Sequence, residues 1–210
     1  EARGDPIAWI GVITNLIRSL YYLRDGGAAL LSQVLGRLYE ERACLRGSND
    51  WPTMWTLWSA LQTMKFAQTS RSAGSLESLS RAVRSILDVF GTTFSATVGM
   101  PIDLLTKKSI IWDTARLQTI EAEFFISLLL AQIGTDASSE VLDLMIVLEE
   151  AHEYLNKARQ SRQDLGEPPL EAAFRMAAKK GVSLCVLDQA PGLLPESVLA
   201  NLQSYCVFRL

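Results

Sequence analysis

Two adjacent acids follow an apolar run in the last third of the chain, and their types and spacing suit phosphate chemistry. The run 144–148 reads Leu-Met-Ile-Val-Leu and leads directly into Glu149 and Glu150. A buried parallel strand that ends in two acids places them at the carboxyl edge of its sheet, where open α/β folds bind ligands. There the first acid can hold the hydration shell of Mg²⁺, and the second can polarise a water for in-line attack on a γ-phosphate. The pattern therefore predicts Walker-B-type chemistry, with Glu149 at the position where Asp is more usual.

A second apolar run also leads to a polar residue that could contact a nucleotide. Residues 182–187 read Val-Ser-Leu-Cys-Val-Leu, and Gln189 follows two positions later. If this run is a strand parallel to the first, the carboxyl ends of both strands lie at the same edge of the sheet. The Gln189 amide would then lie beside Glu149 and Glu150, where it could hydrogen-bond a γ-phosphate or the attacking water. Three residues beyond it predict a turn into another helix: Pro191, Gly192 and Pro195.

The elements around these residues alternate between short apolar runs and helical patterns. The chain predicts strands at 109–112, 142–148, 182–187 and 205–210, and helices at about 119–133 and 193–202. Such alternation is typical of parallel strands that are covered by helices on both faces. We therefore expect residues 108–210 to form an α/β domain around a parallel sheet.

The first part of the chain, residues 1–107, predicts helices alone. Apolar residues recur at helical spacing in four segments, which begin near Pro6, after a turn at 25–27, at Pro52 and near Leu76. The residues expected to be buried are Leu31, Val34, Leu35 and Leu38 in the second segment, Trp55, Trp58 and Leu61 in the third, and Leu76, Leu79, Val83, Ile86, Leu87 and Phe90 in the fourth, which Gly91 should stop. An all-helical subdomain is therefore expected ahead of the sheet.

The composition of the chain excludes some classes of protein. Hydrophobic residues make up 49% of the chain, which excludes a disordered segment, and the net charge of −3 gives no general signal of nucleic-acid binding. Cys44, Cys185 and Cys206 lack metal-site spacing, and the last two lie in apolar runs where we expect them buried, as suits a reducing cytoplasm. The first helical segment has polar residues on one face, so we expect an amphipathic helix and no stable membrane insertion.

The segment 146–210 resembles the C-terminal part of the ATPase core of the HerA/FtsK superfamily, above all its HerA-like branch. It reads IVLEEAHEYL and later KKGVSLCVLDQAPGLLPESVLANLQSYCVFRL. In that family an apolar strand followed by acid-acid-Ala-His is the Walker B motif, and a later strand ends in a sensor Gln ahead of a P-x-x-L-P turn. The helix-rich segment before Ser109 also resembles an insertion of the family. The resemblance implies a RecA-like parallel sheet preceded by a helical insertion.

Roles for individual residues follow from this resemblance. It implies that Glu149 binds Mg²⁺, that Glu150 is the catalytic base, and that Gln189 is the sensor, with all three contacting ATP. The family often carries an arginine ahead of the sensor strand, where this chain reads Ala-Lys-Lys-Gly at 178–181. Candidates for a trans-acting arginine are Arg209 and Arg175. The sole histidine, His152, either couples the nucleotide state to neighbouring loops or caps the start of a helix.

The function that the resemblance implies is an ATP-driven translocase or helicase of double-stranded DNA, acting as a cytoplasmic homohexamer, with a nuclease or antiphage effector as a possible partner. The alternatives are a nucleotide-dependent regulatory or assembly module and a conjugative secretion ATPase. The phosphate-binding pattern G-x-x-x-x-G-K-[ST] is absent from the sequence. We therefore expect that loop to lie upstream of Glu1, and we expect this chain alone not to hydrolyse ATP.

Overall fold

The computed structural model describes residues 5–67, 70–91, 108–134, 144–155, 169–179 and 181–207. In these residues the helices are α1 (Pro6–Leu20), α2 (Asp25–Glu41), α3 (Met54–Thr63), α4 (Arg71–Phe90), α5 (Thr119–Gly134), α6 (Pro169–Lys179) and α7 (Glu196–Asn201), and the strands are β1 (Leu144–Glu149) and β2 (Val182–Leu187). The chain is therefore mixed helical with a small parallel sheet, in agreement with the α/β class.

The first four helices share one apolar core. Each contributes side chains that are at most 1% exposed: Ile17 from α1, Leu31 from α2, Leu57 and Leu61 from α3, and Leu79, Val83 and Ile86 from α4. The 3.6-residue period of the sequence places these residues on one face of each helix, and burial of those faces stabilises the subdomain. The predicted helices are confirmed, and so are their buried faces except at three positions. Trp58 and Leu76 are only partly buried against the core, and Trp55 is 42% exposed and donates its indole N–H to the Gly91 carbonyl oxygen at 2.8 Å.

Three predicted helix starts in this part are wrong. The start of α4 is Arg71, capped by Ser70, and not near Leu76. Residues 25–27 were expected to form a turn, but Asp25 is the first residue of α2. Glycine suits this position because a Cβ at Gly26 would lie 2.6 Å from the Ser75 hydroxyl of α4, so the two helices can approach closely there. Pro52 lies outside α3, because Thr53 caps that helix by accepting the backbone N–H of Thr56 at 3.2 Å.

The two strands pair in parallel and present one apolar face to a second core. Their register runs from Leu144 opposite Val182 to Glu149 opposite Leu187. The face toward the core comprises Leu144, Ile146, Leu148, Val182, Leu184 and Val186, which pack with residues of α5, α6 and α7 such as Leu130, Ile133, Leu170 and Val198. β1 and β2 are therefore confirmed as neighbouring parallel strands.

The helix α5 joins the two cores. Its Phe124 is 2% exposed and belongs to the core of the first four helices, whereas Leu130 and Ile133 belong to the core beneath the sheet. Phe125 contacts both. Residues 119–133 were predicted as a helix, which is confirmed, and that helix connects the parts of the chain on either side of residue 107.

Other expectations for the sheet are wrong in the described residues. The run 109–112 forms no strand, and Ile111 is 95% exposed. Tyr205 and Val207 are also outside any strand, with exposures of 62% and 92%, while 208–210 and 142–143 lie outside the described residues. Among the residues that the structure describes, the sheet is covered on one face, and Met145, Val147 and Leu187 of the opposite face are 65%, 48% and 50% exposed. No described helix is long and apolar enough to cross a bilayer.

The cysteines differ from expectation in their burial. Cys206 was expected to be buried but is exposed, Cys185 is half-buried, and Cys44 is 2% exposed. Cys44 lies in a short 3-10 turn after α2, where its thiol contacts the carbonyl oxygen of Asp50 at 3.3 Å. Burial raises the pKa of the Cys44 thiol, so its reactive thiolate is scarce near neutral pH.

Thiol alkylation tests this difference in burial. In the native chain we expect iodoacetamide to modify Cys206 rapidly, because it is exposed, and to leave Cys44 unmodified. Peptide mass spectrometry after timed labelling measures both rates, and the same labelling in denaturant should make them similar. Equal rates for the two cysteines in the native chain would contradict the fold around Cys44.

Substitution of a core leucine tests the helical core. Leu31 of α2 has no exposed surface, so Leu31→Ala should lower the free energy of unfolding by about 2–5 kcal/mol. Ile7 of α1 is 66% exposed, and Ile7→Ala is the matched control, with an expected change of less than about 0.5 kcal/mol. Urea unfolding followed by circular dichroism measures both, and similar costs for the two variants would show that α2 is packed differently.

Candidate functional site

The residues that follow β1 and β2 meet at the carboxyl edge of the sheet. The parallel register places Glu149 opposite Leu187, so the next residues of each strand approach each other. The Gln189 side-chain amide donates a hydrogen bond to Glu150 Oε1 at 2.7 Å. The predicted placement of Gln189 beside Glu150 is therefore confirmed, and this edge is the candidate site.

Glu150 has an unusual backbone conformation. Its φ of 49° and ψ of 48° lie in the left-handed region, which is rare for a residue with a Cβ. A 3-10 turn at Ala151–Glu153 follows, and the Glu150 carbonyl oxygen accepts the backbone N–H of Glu153 at 3.0 Å. The left-handed conformation costs about 1–2 kcal/mol. Strain of this kind persists where the surrounding contacts hold it, and it is concentrated at functional sites.

The Asp188 side chain joins the turn that follows β1 to the turn that follows β2. Its side chain is 4% exposed, and its Oδ2 accepts the backbone N–H of His152 at 2.7 Å. Its Oδ1 accepts the backbone N–H of Ala190 at 2.6 Å. A buried carboxylate is costly unless hydrogen bonds satisfy it, and these two amides come from different strand ends. Asp188 therefore fixes where the turn of Glu150 lies relative to Gln189.

The His152 ring lies between the two carboxylates. Its Nδ1 is 3.1 Å from both oxygens of Asp188 and 3.6 Å from Glu150 Oε2. The ring is 23% exposed, so it is neither fully buried nor fully in solvent. The His152 ring and backbone link the turn after β1 to the turn after β2, and both roles predicted for His152 stay predictions.

Asp188 is the residue that the sequence reasoning missed. It lies between the second apolar run and Gln189, and no role was assigned to it. The signal that identified Glu149 and Glu150, an acid directly after an apolar strand, applies equally to Asp188. The sequence does not indicate that this carboxylate turns inward and accepts two backbone amides.

The other predicted site residues lie apart from this cluster or outside the described residues. Glu149 is the last residue of β1 and is exposed, and no hydrogen bond or ion pair joins it to Glu150, His152 or Asp188. Its carboxylate oxygens have the chemistry that Mg²⁺ prefers, and its exposure leaves room for a hydrated ion. Arg175 is an exposed residue of α6, and Arg209 lies outside the described residues.

A pair of substitutions at Glu150 tests its strained backbone. Glu150→Gly and Glu150→Ala both remove the carboxylate, but only alanine keeps the Cβ that the left-handed conformation disfavours. We expect the glycine variant to be more stable by about 0.5–1 kcal/mol, after allowance for the greater freedom of glycine in the unfolded chain. Urea unfolding measures the difference. The same pair at Glu153, which has no positive φ, is the control and should show alanine as the more stable.

Comparison of the chain with protein-family models, with curated proteins and with solved structures finds no significant match. The likeness to the HerA/FtsK superfamily therefore rests on the sequence motifs at the two strand ends.

Proposed function

We propose that this chain supplies the acid and sensor residues of an ATP-hydrolysing motor of HerA type, whose substrate is double-stranded DNA. The observation that carries the proposal is the hydrogen bond from Gln189 to Glu150 at the carboxyl edge of two parallel strands. That edge is where open α/β sheets bind ligands. The sequence motifs around both residues support the same assignment and extend it to a RecA-like core.

Within this proposal each residue has a distinct task. Glu149 would hold Mg²⁺ through its exposed carboxylate, and the ion would neutralise charge on the β- and γ-phosphates. Glu150 would accept a proton from the attacking water. Its Oε1 already accepts a hydrogen bond from the Gln189 amide at 2.7 Å, which makes that oxygen less basic, so Oε2 would take the proton. Gln189 would then respond to loss of the γ-phosphate through the same side chain that holds Glu150.

Within this proposal, the phosphate-binding loop belongs to a part of the parent protein outside these 210 residues. The 210 residues contain no G-x-x-x-x-G-K-[ST], so they offer neither its backbone nest nor its lysine to the phosphates. This chain alone is therefore proposed to be inactive. The homohexameric ring, the trans-acting Arg209 and a nuclease or antiphage effector partner are parts of the proposal that come from the family resemblance.

ATP turnover by the full-length parent tests the proposal. We expect double-stranded DNA to stimulate ATP hydrolysis, because a DNA translocase couples ATP turnover to movement along DNA. Glu150→Gln keeps the hydrogen-bond geometry but removes the base, so it should lower kcat by about 100-fold or more. Phosphate release measures both effects. Glu153→Gln, an exposed acid three positions away, is the matched control and should leave turnover unchanged.

The other outcomes separate the alternative functions. Turnover that requires Glu150 but does not respond to DNA would favour a nucleotide-dependent regulatory or assembly module. Turnover together with co-purification on membranes would favour a conjugative secretion ATPase. Turnover that survives Glu150→Gln without loss would remove Glu150 from the role of base and overturn the proposal for this site.

A further inference from the structure

Three side chains of different chemistry converge beside the proposed nucleotide edge. Glu150, His152 and Asp188 each offer one ligand atom, and these three atoms lie within 4.8 Å of one another. The set combines two carboxylates with an imidazole, and it spans the ends of both strands. Sequence spacing gives no hint of it, because Asp188 is far from the other two residues along the chain.

The distances suit a shared metal ion. Two ligands bound to one ion at about 2.1 Å are about 3.0 Å apart at a right angle and about 3.4 Å apart at the tetrahedral angle. His152 Nδ1 is 3.1 Å from each oxygen of Asp188 and 3.6 Å from Glu150 Oε2. All three ligand atoms lie within 4.8 Å of one another, and the Glu150 side chain is 38% exposed, which gives it room to turn toward a shared ion.

The buried member of the set is already oriented as a ligand. The Asp188 side chain is 4% exposed, and the backbone amides of His152 and Ala190 fix its two oxygens. Each carboxylate oxygen has a further lone pair, so these hydrogen bonds leave it able to bind an ion. Metal-binding carboxylates are held by hydrogen bonds of this kind, which lower the cost of assembling the site.

The charge of the cluster also favours a cation. Glu150 and Asp188 bring two carboxylates to one imidazole, and within the described ranges neither forms an ion pair with a lysine or arginine. A divalent ion would neutralise both. An imidazole ligand favours zinc and other first-row transition metals over Mg²⁺, which prefers oxygen ligands alone.

We propose that Glu150, His152 and Asp188 form a binding site for a divalent transition-metal ion of the zinc class. Three protein ligands leave a fourth position for water, as in open zinc sites. The site is distinct from the Mg²⁺ position proposed at Glu149. It needs no nucleotide, so its existence can be tested whether or not the parent hydrolyses ATP.

Titration of the metal-free chain with Co²⁺, and with Zn²⁺ in competition with a chromophoric chelator, tests the site. We expect one ion per chain, with visible Co²⁺ absorption typical of nitrogen and oxygen ligands. His152→Ala and Asp188→Asn should each weaken binding by about 100-fold or more, since even partners of ligands contribute 10–100-fold. Circular dichroism of each variant checks that the fold is kept, and Glu150→Gln, at a more exposed position, gives a third measure of the same site.

Matched controls make the test decisive. Glu153→Gln changes an exposed acid of the same turn and should leave binding unchanged. Binding that persists at full strength in His152→Ala would place the ion at another site, and the near-ultraviolet band of a cobalt thiolate would assign it to the cysteines. Either result would overturn the proposal. Absence of binding to the intact chain, or a preference for Mg²⁺ over Zn²⁺, would overturn it as well.

Discussion

The parallel register of β1 and β2 is the constraint on which the candidate site depends. With Leu144 opposite Val182, the alternation of each strand turns its apolar face toward α5 and α6. A slip of one residue would bring Met145 and Val147 toward the core and expose Leu148, which is 7% exposed. Burial of the core face therefore fixes the register, and the register determines which residues meet at the carboxyl edge.

The sheet in turn depends on the helical part of the chain through α5. A two-stranded sheet is only marginally stable by itself, and one face of this sheet is open. The α5 residues Leu130 and Ile133 cover the other face, while Phe124 of the same helix is buried among the first four helices. The first four helices therefore stabilise the helix that supports the sheet, although none of them supplies a residue of the site.

Periodicity in the sequence predicted the elements with long, regular patterns, but of the short apolar runs only those of β1 and β2 proved to be strands in the described residues. The buried faces of α2 and α4 follow from a 3.6-residue period that no other structure satisfies. The run 109–112 has the same apolar character as β1, but strand formation also needs a partner, and none is found among the described residues. A short apolar run does not specify the strand with which it pairs. Composition alone therefore could not show that the run of β1 forms a strand and the run 109–112 does not.

In the candidate site, too, the positions of some residues could be predicted from the sequence and those of others could not. That Glu150 and Gln189 lie together follows from parallel strands and could be predicted. The left-handed backbone of Glu150 and the inward position of Asp188 could not, because they depend on tertiary contacts such as the hydrogen bond from the His152 backbone to Asp188, which joins residues 36 positions apart. Local propensity would place Glu150 in an ordinary conformation, and tertiary contacts override it.

Glu150 takes part in both proposals, as the base in ATP hydrolysis and as a ligand of the transition-metal ion, and it cannot serve fully in both roles at once. Its Oε1 is bound by the Gln189 amide, so Oε2 is the atom required both by the attacking water and by a metal ion held with His152. A carboxylate oxygen that binds a divalent ion is a weaker proton acceptor, because the ion lowers the basicity of its ligand. A transition-metal ion at this site would therefore withdraw the base from hydrolysis. If both proposals hold, metal binding and ATP hydrolysis compete for the same carboxylate of Glu150.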